Sequence, residues 1–268
     1  MPIAALPMYD LPEITAVTDA WWRGLAGHLR RVGISDVPNR LERETDRNIV
    51  WTDPTLMIAQ TCGYPLTHAL AGKVRLAAAP KYDAPGCQGA MYRSLIVVNA
   101  QCDAAEMADL RGQRAAINGT ASQSGFNVLR STIAPLAENG RFFSEVIASG
   151  MHRASLGMVA AGAADVCAVD CVTHALLARH APEALGGTRI LTETEAAPSL
   201  PYITAGTVSD DDLERLRQGL AAAAADPALA DVRAELLISD FELLADDAYD
   251  VIIDMEMRAE AVGGPGLI

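Results

Sequence analysis

Positive charge is scarce in this sequence. Lys and Arg number 21 against 34 Asp and Glu in 268 residues, a formal net charge of −13. Nucleic acid demands clustered Lys and Arg to neutralise its phosphates, and an anionic lipid surface demands a basic face. Neither partner is expected. A small anion is not excluded, because neutral N–H and hydroxyl donors can hold one in a cleft without net positive charge on the whole protein. Long apolar runs are missing as well. No stretch reaches the eighteen or so residues of a membrane span, so no direct membrane insertion is expected. Met1 to Asp10 shows neither a basic region nor a useful apolar core, so no signal peptide is read there. As written, the chain is expected in the cytoplasm, or in the periplasm if a leader was removed.

Cysteine is sparse and odd in number: Cys62, Cys87, Cys102, Cys167 and Cys171. No C-x-x-C pair occurs. Cys167 and Cys171 stand four apart, but Ala168-Val169-Asp170 between them reads as a strand end, not a zinc knuckle. No metal site is expected. The five read as small buried hydrophobes with free thiols, which suits a reducing compartment. Aromatics make up only 5% of the chain while half of it is hydrophobic. A sizeable core rich in Ala and Val follows, as in packed α/β proteins, with length enough for one large domain or two lobes.

Periodicity gives the order of elements. A strand is expected from Ile3 to Met8, then a helix from Ile14 to Arg31 stopped by Gly33. Leu41 to Thr52 carries no clear period. Strands follow at Leu56–Gln60, Val74–Ala79 and Tyr92–Asn99, with a short helix from Leu66 to Ala71 and another from Asp103 to Leu110. Beyond the strand that ends at Asn118 come a helix start near Ser122, a strand over Phe142–Ala148 and a helix from Met151. Further strands are expected at Ala164–Val169, Thr188–Thr192 and Pro198–Thr204, with a helix from Val172 to His180. Ser209 followed by three acids marks a helix start, running to Ala225. A helix continues through Val232–Leu237, and Asp246 to Ala261 reads as a closing amphipathic helix. The repeating βαβ pattern implies an α/β fold with mostly parallel sheets.

Ligands in open α/β sheets sit beyond the carboxyl ends of the strands. There this chain places Tyr9-Asp10, Gln60-Thr61-Cys62, Asn118 with Ser122-Gln123-Ser124, Ser149 with His152, and Asp170. The stretch Arg114–Leu129 stands out: a short apolar run, Asn-Gly, a cluster of small hydroxyl residues, then helical spacing. Free N–H groups and the positive end of the helix dipole converge at such a start, which suits an anion. The alternative is an ordinary helix capped by Ser122. The stretch is neither a Walker A loop nor a dinucleotide fingerprint, and no cofactor is expected.

From about Leu56 to Gly206 the sequence resembles the phosphate/phosphite/phosphonate-binding proteins of ABC importers. The matching stretches are Leu110–Ala116 leading to Ser122-Gln123-Ser124-Gly125, Phe142–Val146 leading to Ser149–Leu156, Gly162–Asp170, and Leu200-Pro201-Tyr202. The resemblance implies the type II periplasmic-binding-protein fold: two α/β lobes with a ligand cleft between them. Lobe 1 would be 1–97 plus 206–268, and lobe 2 would be 98–205. The resemblance also implies an anion gripped at Ser122, Gln123 and Ser124, a binding histidine at His152 and a binding aspartate at Asp170. It further implies an aromatic from the first lobe, Tyr9 or Tyr64, with Thr61 facing the cleft. Many relatives carry Ser-Thr-Ser where this chain has Gln123 in the middle, a longer amide that either points elsewhere or reads a different ligand group.

Asp170 could accept a hydrogen bond from a protonated ligand oxygen, pair with a ligand amine, or simply cap the helix from Val172. His152 near an anion would favour its charged form. Cys62 sits at a strand-to-turn junction, but no His or acid is paired with it, so no catalytic residue is assigned. The leading expectation is a solute-binding protein for a small oxyanion or phosphonate-like compound, closing its lobes on the ligand and serving an ABC-transporter permease. The alternatives are a cytoplasmic enzyme or a ligand sensor on the same fold.

Overall fold

The computed structural model describes residues 1–245 and 247–263. The expected helix start at Asp246 and the last five residues lie outside the described residues. In chain order the strands are β1 (Ile3–Ala5), β2 (Leu56–Gln60), β3 (Val74–Tyr82), β4 (Met91–Tyr92), β5 (Ser94–Asn99), β6 (Arg114–Ile117), β7 (Glu145–Ala148), β8 (Val166–Asp170), β9 (Thr188–Glu193), β10 (Ala197–Pro198), β11 (Tyr202–Ala205) and β12 (Ile238–Glu242). The α-helices are α1 (Thr15–Arg31), α2 (Arg47–Thr52), α3 (Gly63–Thr67), α4 (Val128–Ile133), α5 (His152–Ala160), α6 (Cys171–His180), α7 (Asp210–Ala225), α8 (Ala230–Glu235) and α9 (Asp250–Gly263). A π-turn over Gln123–Asn127 runs directly into α4.

The chain forms two compact units. Unit 1 comprises Met1–Asp83, Gln88–Met91 and Pro198–Ala248. Unit 2 comprises Ala84–Cys87, Tyr92–Ala197 and the chain from Tyr249.

Unit 1 is built on a sheet of order β1-β2-β11-β3-β12. Trp21, Leu25 and Leu29 recur every four residues along α1 and are buried together with Trp22, so one face of the helix is wholly apolar. α1 lies against α7. Gly219 permits the close approach, since a Cβ there would stand 2.5 Å from the Leu29 side chain. As expected, Ser209 caps α7 through the Asp212 N–H. The unplaced stretch before β2 contains α2, capped by Asp46. β12 was not expected; it pairs antiparallel with β3, which runs on to Tyr82.

Unit 2 carries a sheet of order β7-β6-β8-β5-β9. Its core gathers Ile96, Val98, Leu110, Ala115, Ile117, Leu129, Val166 and Ala168 from the sheet and the segments over it. Phe142 and Phe143, expected to open a strand, instead turn into this core edge to face with ring centroids 4.9 Å apart, and β7 begins only at Glu145. The expected helix over Asp103–Leu110 shrinks to a single 3-10 turn at Met107–Leu110.

Two expectations are corrected. The sheets are mixed, not mostly parallel. β1–β2, β6–β7 and β6–β8 run parallel. β11 is antiparallel to both neighbours, as is β5. The strands that begin or end each unit's excursion along the chain insert against the direction of their neighbours, which βαβ counting does not reveal. The second correction concerns the C-terminal helix, assigned from the sequence to the first lobe. α9 packs on α4 and on the π-turn of unit 2. Its Ile252 carbonyl accepts from Asn127 at 3.0 Å, its Met255 sulfur meets Gln123, and its Glu256 pairs with Arg130 at 2.9 Å.

Candidate functional site

The opening of the π-turn is shaped by two small residues. Ser122 has extended backbone and accepts from the Gly125 N–H at 3.0 Å, the N-cap geometry expected of it. Gly125 lies so close to the Asn118 side chain that a Cβ there would approach it to 2.7 Å. Ser122 and Gly125 thus hold the turn tight against the end of β6. The first N–H groups of such a start have no acceptor within the helix. Asn118 Oδ1 is buried with no hydrogen-bond partner.

His152 opens α5, after β7 and the turn at Gly150, whose φ of +90° calls for glycine. Ser149 steadies that turn through the Ser155 hydroxyl at 2.7 Å and the Ile117 carbonyl at 3.0 Å. The His152 ring reaches Ser124: Nε2 stands 2.9 Å from the Ser124 hydroxyl and 3.5 Å from the Asp170 N–H. The N–H can only donate, so Nε2 is the acceptor, and the partners place the ring proton on Nδ1. Burial pulls the imidazole from 6.5 to about 4, outweighing the Ala168 carbonyl, which favours charge. His152 is therefore neutral at pH 7 in this structure.

Asp170 ends β8 and is 1% exposed. One carboxylate oxygen accepts from the Val172 and Thr173 N–H groups at 2.8 and 2.9 Å, so it caps α6. Of the three roles left open for it, the cap is observed. Ser122, Ser124, His152 and Asp170 thus gather at the carboxyl ends of the three parallel strands of unit 2, with Asn118 beside them.

Of the two roles left open for Gln123, its side chain takes the one that points elsewhere. It is 1% exposed; its amide nitrogen points at Met255 Sδ, 3.1 Å away, and its oxygen accepts from Asn127 at 2.8 Å. Its side chain thereby ties the turn to α9. Asn127 also donates to α9, and Arg130, 4% exposed, donates to Asn127 at 3.0 Å and to Glu256. Sequence reasoning missed Asn127 and Arg130. Their one signal was polar character inside an apolar helical period.

Tyr9, Thr61 and Tyr64 belong to unit 1. Tyr9 is 8% exposed, meets Tyr82 edge to face at 5.2 Å, and helps line a cavity of about 20 Å³ with Gln60 and Trp21. Thr61 is fully buried, its N–H donating to the Pro201 carbonyl at 3.0 Å. Tyr64 stacks on His68 with ring centroids 3.9 Å apart. Among the described residues no group of His, Cys, Asp and Glu is arranged to hold a metal, and no helix is long and apolar enough to cross a membrane.

A family model described as the periplasmic phosphonate substrate-binding protein of ABC transporters matches residues 55–249. Solved structures of similar fold include a binding-protein component of an ABC phosphonate transporter from Pseudomonas aeruginosa. It has a TM-score of 0.75 at 16% identity, with 97% of this chain and 87% of that one covered. Another is PhnD1 from Prochlorococcus marinus in complex with methylphosphonate, with a TM-score of 0.75 at 13% identity and 96% and 97% coverage. A third is XAC2383 from Xanthomonas citri bound to ATP, with a TM-score of 0.71 at 15% identity and 97% of each chain covered. A comparison with curated proteins found no significant match.

Proposed function

Since the chain belongs to the periplasmic phosphonate substrate-binding family of ABC transporters, whose members bind solutes and are not enzymes, we propose that it captures a small phosphonate or related oxyanion at the π-turn of unit 2. The observation that carries this is the convergence of the Ser124 hydroxyl and the Asp170 N–H on His152 Nε2, at 2.9 and 3.5 Å. Neutral donors at a helix start recognise an anion without a cationic side chain, as expected for a protein of net charge −13.

The Ser122 hydroxyl and the first N–H groups of the turn are the proposed donors, joined by the Ser124 hydroxyl once its proton turns from His152 Nε2 to the anion. Neutral His152, accepting on Nε2, orients the Ser124 hydroxyl or accepts a hydrogen bond from the P–OH of a singly protonated phosphonate. The unpartnered Asn118 oxygen fits the same kind of ligand, one bearing a P–OH or another donor. Tyr9, Thr61 and Tyr64 are proposed as contacts from unit 1, and closure of two lobes over the solute as the mode of capture for a permease partner. Gln123 remains in the proposal through its backbone only.

Titration calorimetry with phosphate, phosphite, methylphosphonate and 2-aminoethylphosphonate tests the reading. Heat with at least one phosphonate or phosphite supports it. Absence of heat and of thermal shift with all four removes it.

A further inference from the structure

Two cysteines 84 residues apart in the sequence meet in unit 2. Cys87 Sγ and Cys171 Sγ stand 3.5 Å apart. Cys171 is the first residue of α6, directly after the Asp170 cap, and is 1% exposed. Cys87 ends the short Ala84–Cys87 segment and is half-buried. The approach depends on Gly86, whose φ is +91° and where a Cβ would stand 3.1 Å from Cys171 Cβ. Cys167, by contrast, is fully buried with its thiol pushed up to about 12 by burial.

We propose that Cys87 and Cys171 are a disulfide-forming pair that, in an oxidising compartment, fastens the Ala84–Cys87 segment to the start of α6. The sulfurs close to about 2.05 Å in the bond, a movement within reach of side-chain rotation from their present contact. The half-buried Cys87 meets the oxidant, a small-molecule or protein disulfide. Its thiolate attacks one sulfur of that disulfide, whose S–S bond breaks; the other sulfur leaves as a thiol, and a mixed disulfide forms on Cys87. Cys171 then attacks the Cys87 sulfur, giving up its proton, and the second oxidant thiol departs. Two protein thiols are oxidised and one disulfide is reduced to two thiols. The Cys171 thiol is held above its ordinary range by its contact with Cys87, by burial and by the Asp170 carboxylate. Closure is therefore the slow step and accelerates as pH rises. The oxidising periplasm of the family is where such a bond persists. The proposal does not depend on which solute binds.

The test uses the reduced, folded full chain incubated with oxidised glutathione, quenched with a maleimide and mapped by non-reducing peptide mass spectrometry. A Cys87–Cys171 crosslinked peptide lacking two hydrogens is expected, with the other three cysteines alkylated. Cys171→Ser should stop at a glutathione adduct on Cys87, and the melting temperature should rise on oxidation of the native chain but not of Cys87→Ser. A wild-type chain that keeps the glutathione adduct on Cys87, or crosslinks mainly through Cys62 or Cys102, would overturn the pairing. So would an unchanged melting temperature in a crosslinked sample, since the bond would then restrain nothing.

Discussion

Replacing Ser124 by Ala removes a hydroxyl bonded to His152 and leaves the Ser122 cap in place. A hydrogen bond to a charged ligand contributes about 1.5–3 kcal/mol. Ser124→Ala should therefore weaken anion binding by about 10- to 150-fold, read by calorimetry, with little change in melting temperature. His152 makes a second prediction. Its folded value near 4 lies below the usual 6.5, so between those limits the unfolded chain binds the extra proton. Stability is intact above pH 6.5 and falls as pH drops towards 4, by up to about 1.4 kcal/mol per unit. Chemical denaturation across that range should show a slope that His152→Asn flattens; an identical slope in both proteins would contradict the assignment. At this scale Ser122, Ser124, His152 and Asp170 were legible as polar residues where strands end. Gln123 was not. Whether its side chain faces the ligand or the core depends on the phase of a π-turn, and nothing in Ser122-Gln123-Ser124 announces the extra residue of a π-turn.

Elements carry the third prediction. Arg130 is buried and held by Glu256 of α9. Glu256→Ala strands the guanidinium with Asn127 and the more distant Glu260, 3.9 Å away. Loss of one partner from a buried pair costs about 3–5 kcal/mol. The remaining partners set the expected cost near the lower bound, about 3 kcal/mol in urea denaturation. Anion affinity should fall as well, because the π-turn loses its support; a neutral substitution would mean that α9 rests on unit 2 without holding it. Most helices and strands were readable from period and caps, as with the Trp21–Leu29 face of α1 and Ser209 before α7. The destination of α9 was not readable, because an amphipathic face tells how a helix packs but not on which unit. β12 escaped notice because Ile238-Ser239-Asp240-Phe241-Glu242 buries only its first residue, too little apolar alternation to mark an edge strand.

For the whole molecule the family resemblance was legible over roughly Leu56 to Gly206, and the family model extends from 55 to 249. Sheet direction was not legible, since antiparallel β5 and β11 depend on where the chain enters each sheet. A ligand that binds only the folded state stabilises it by about 2.7 kcal/mol at a hundredfold excess over Kd. A saturating phosphonate should therefore raise the melting temperature of the native chain, and by much less in Ser124→Ala. The central claim is anion capture at the π-turn of unit 2. Its most direct test is calorimetric titration of methylphosphonate into the native chain and into Ser124→Ala side by side. Saturable heat in the native chain, with affinity reduced at least tenfold in the variant, is the predicted result. Equal affinity in the two proteins would place the ligand elsewhere and contradict the account.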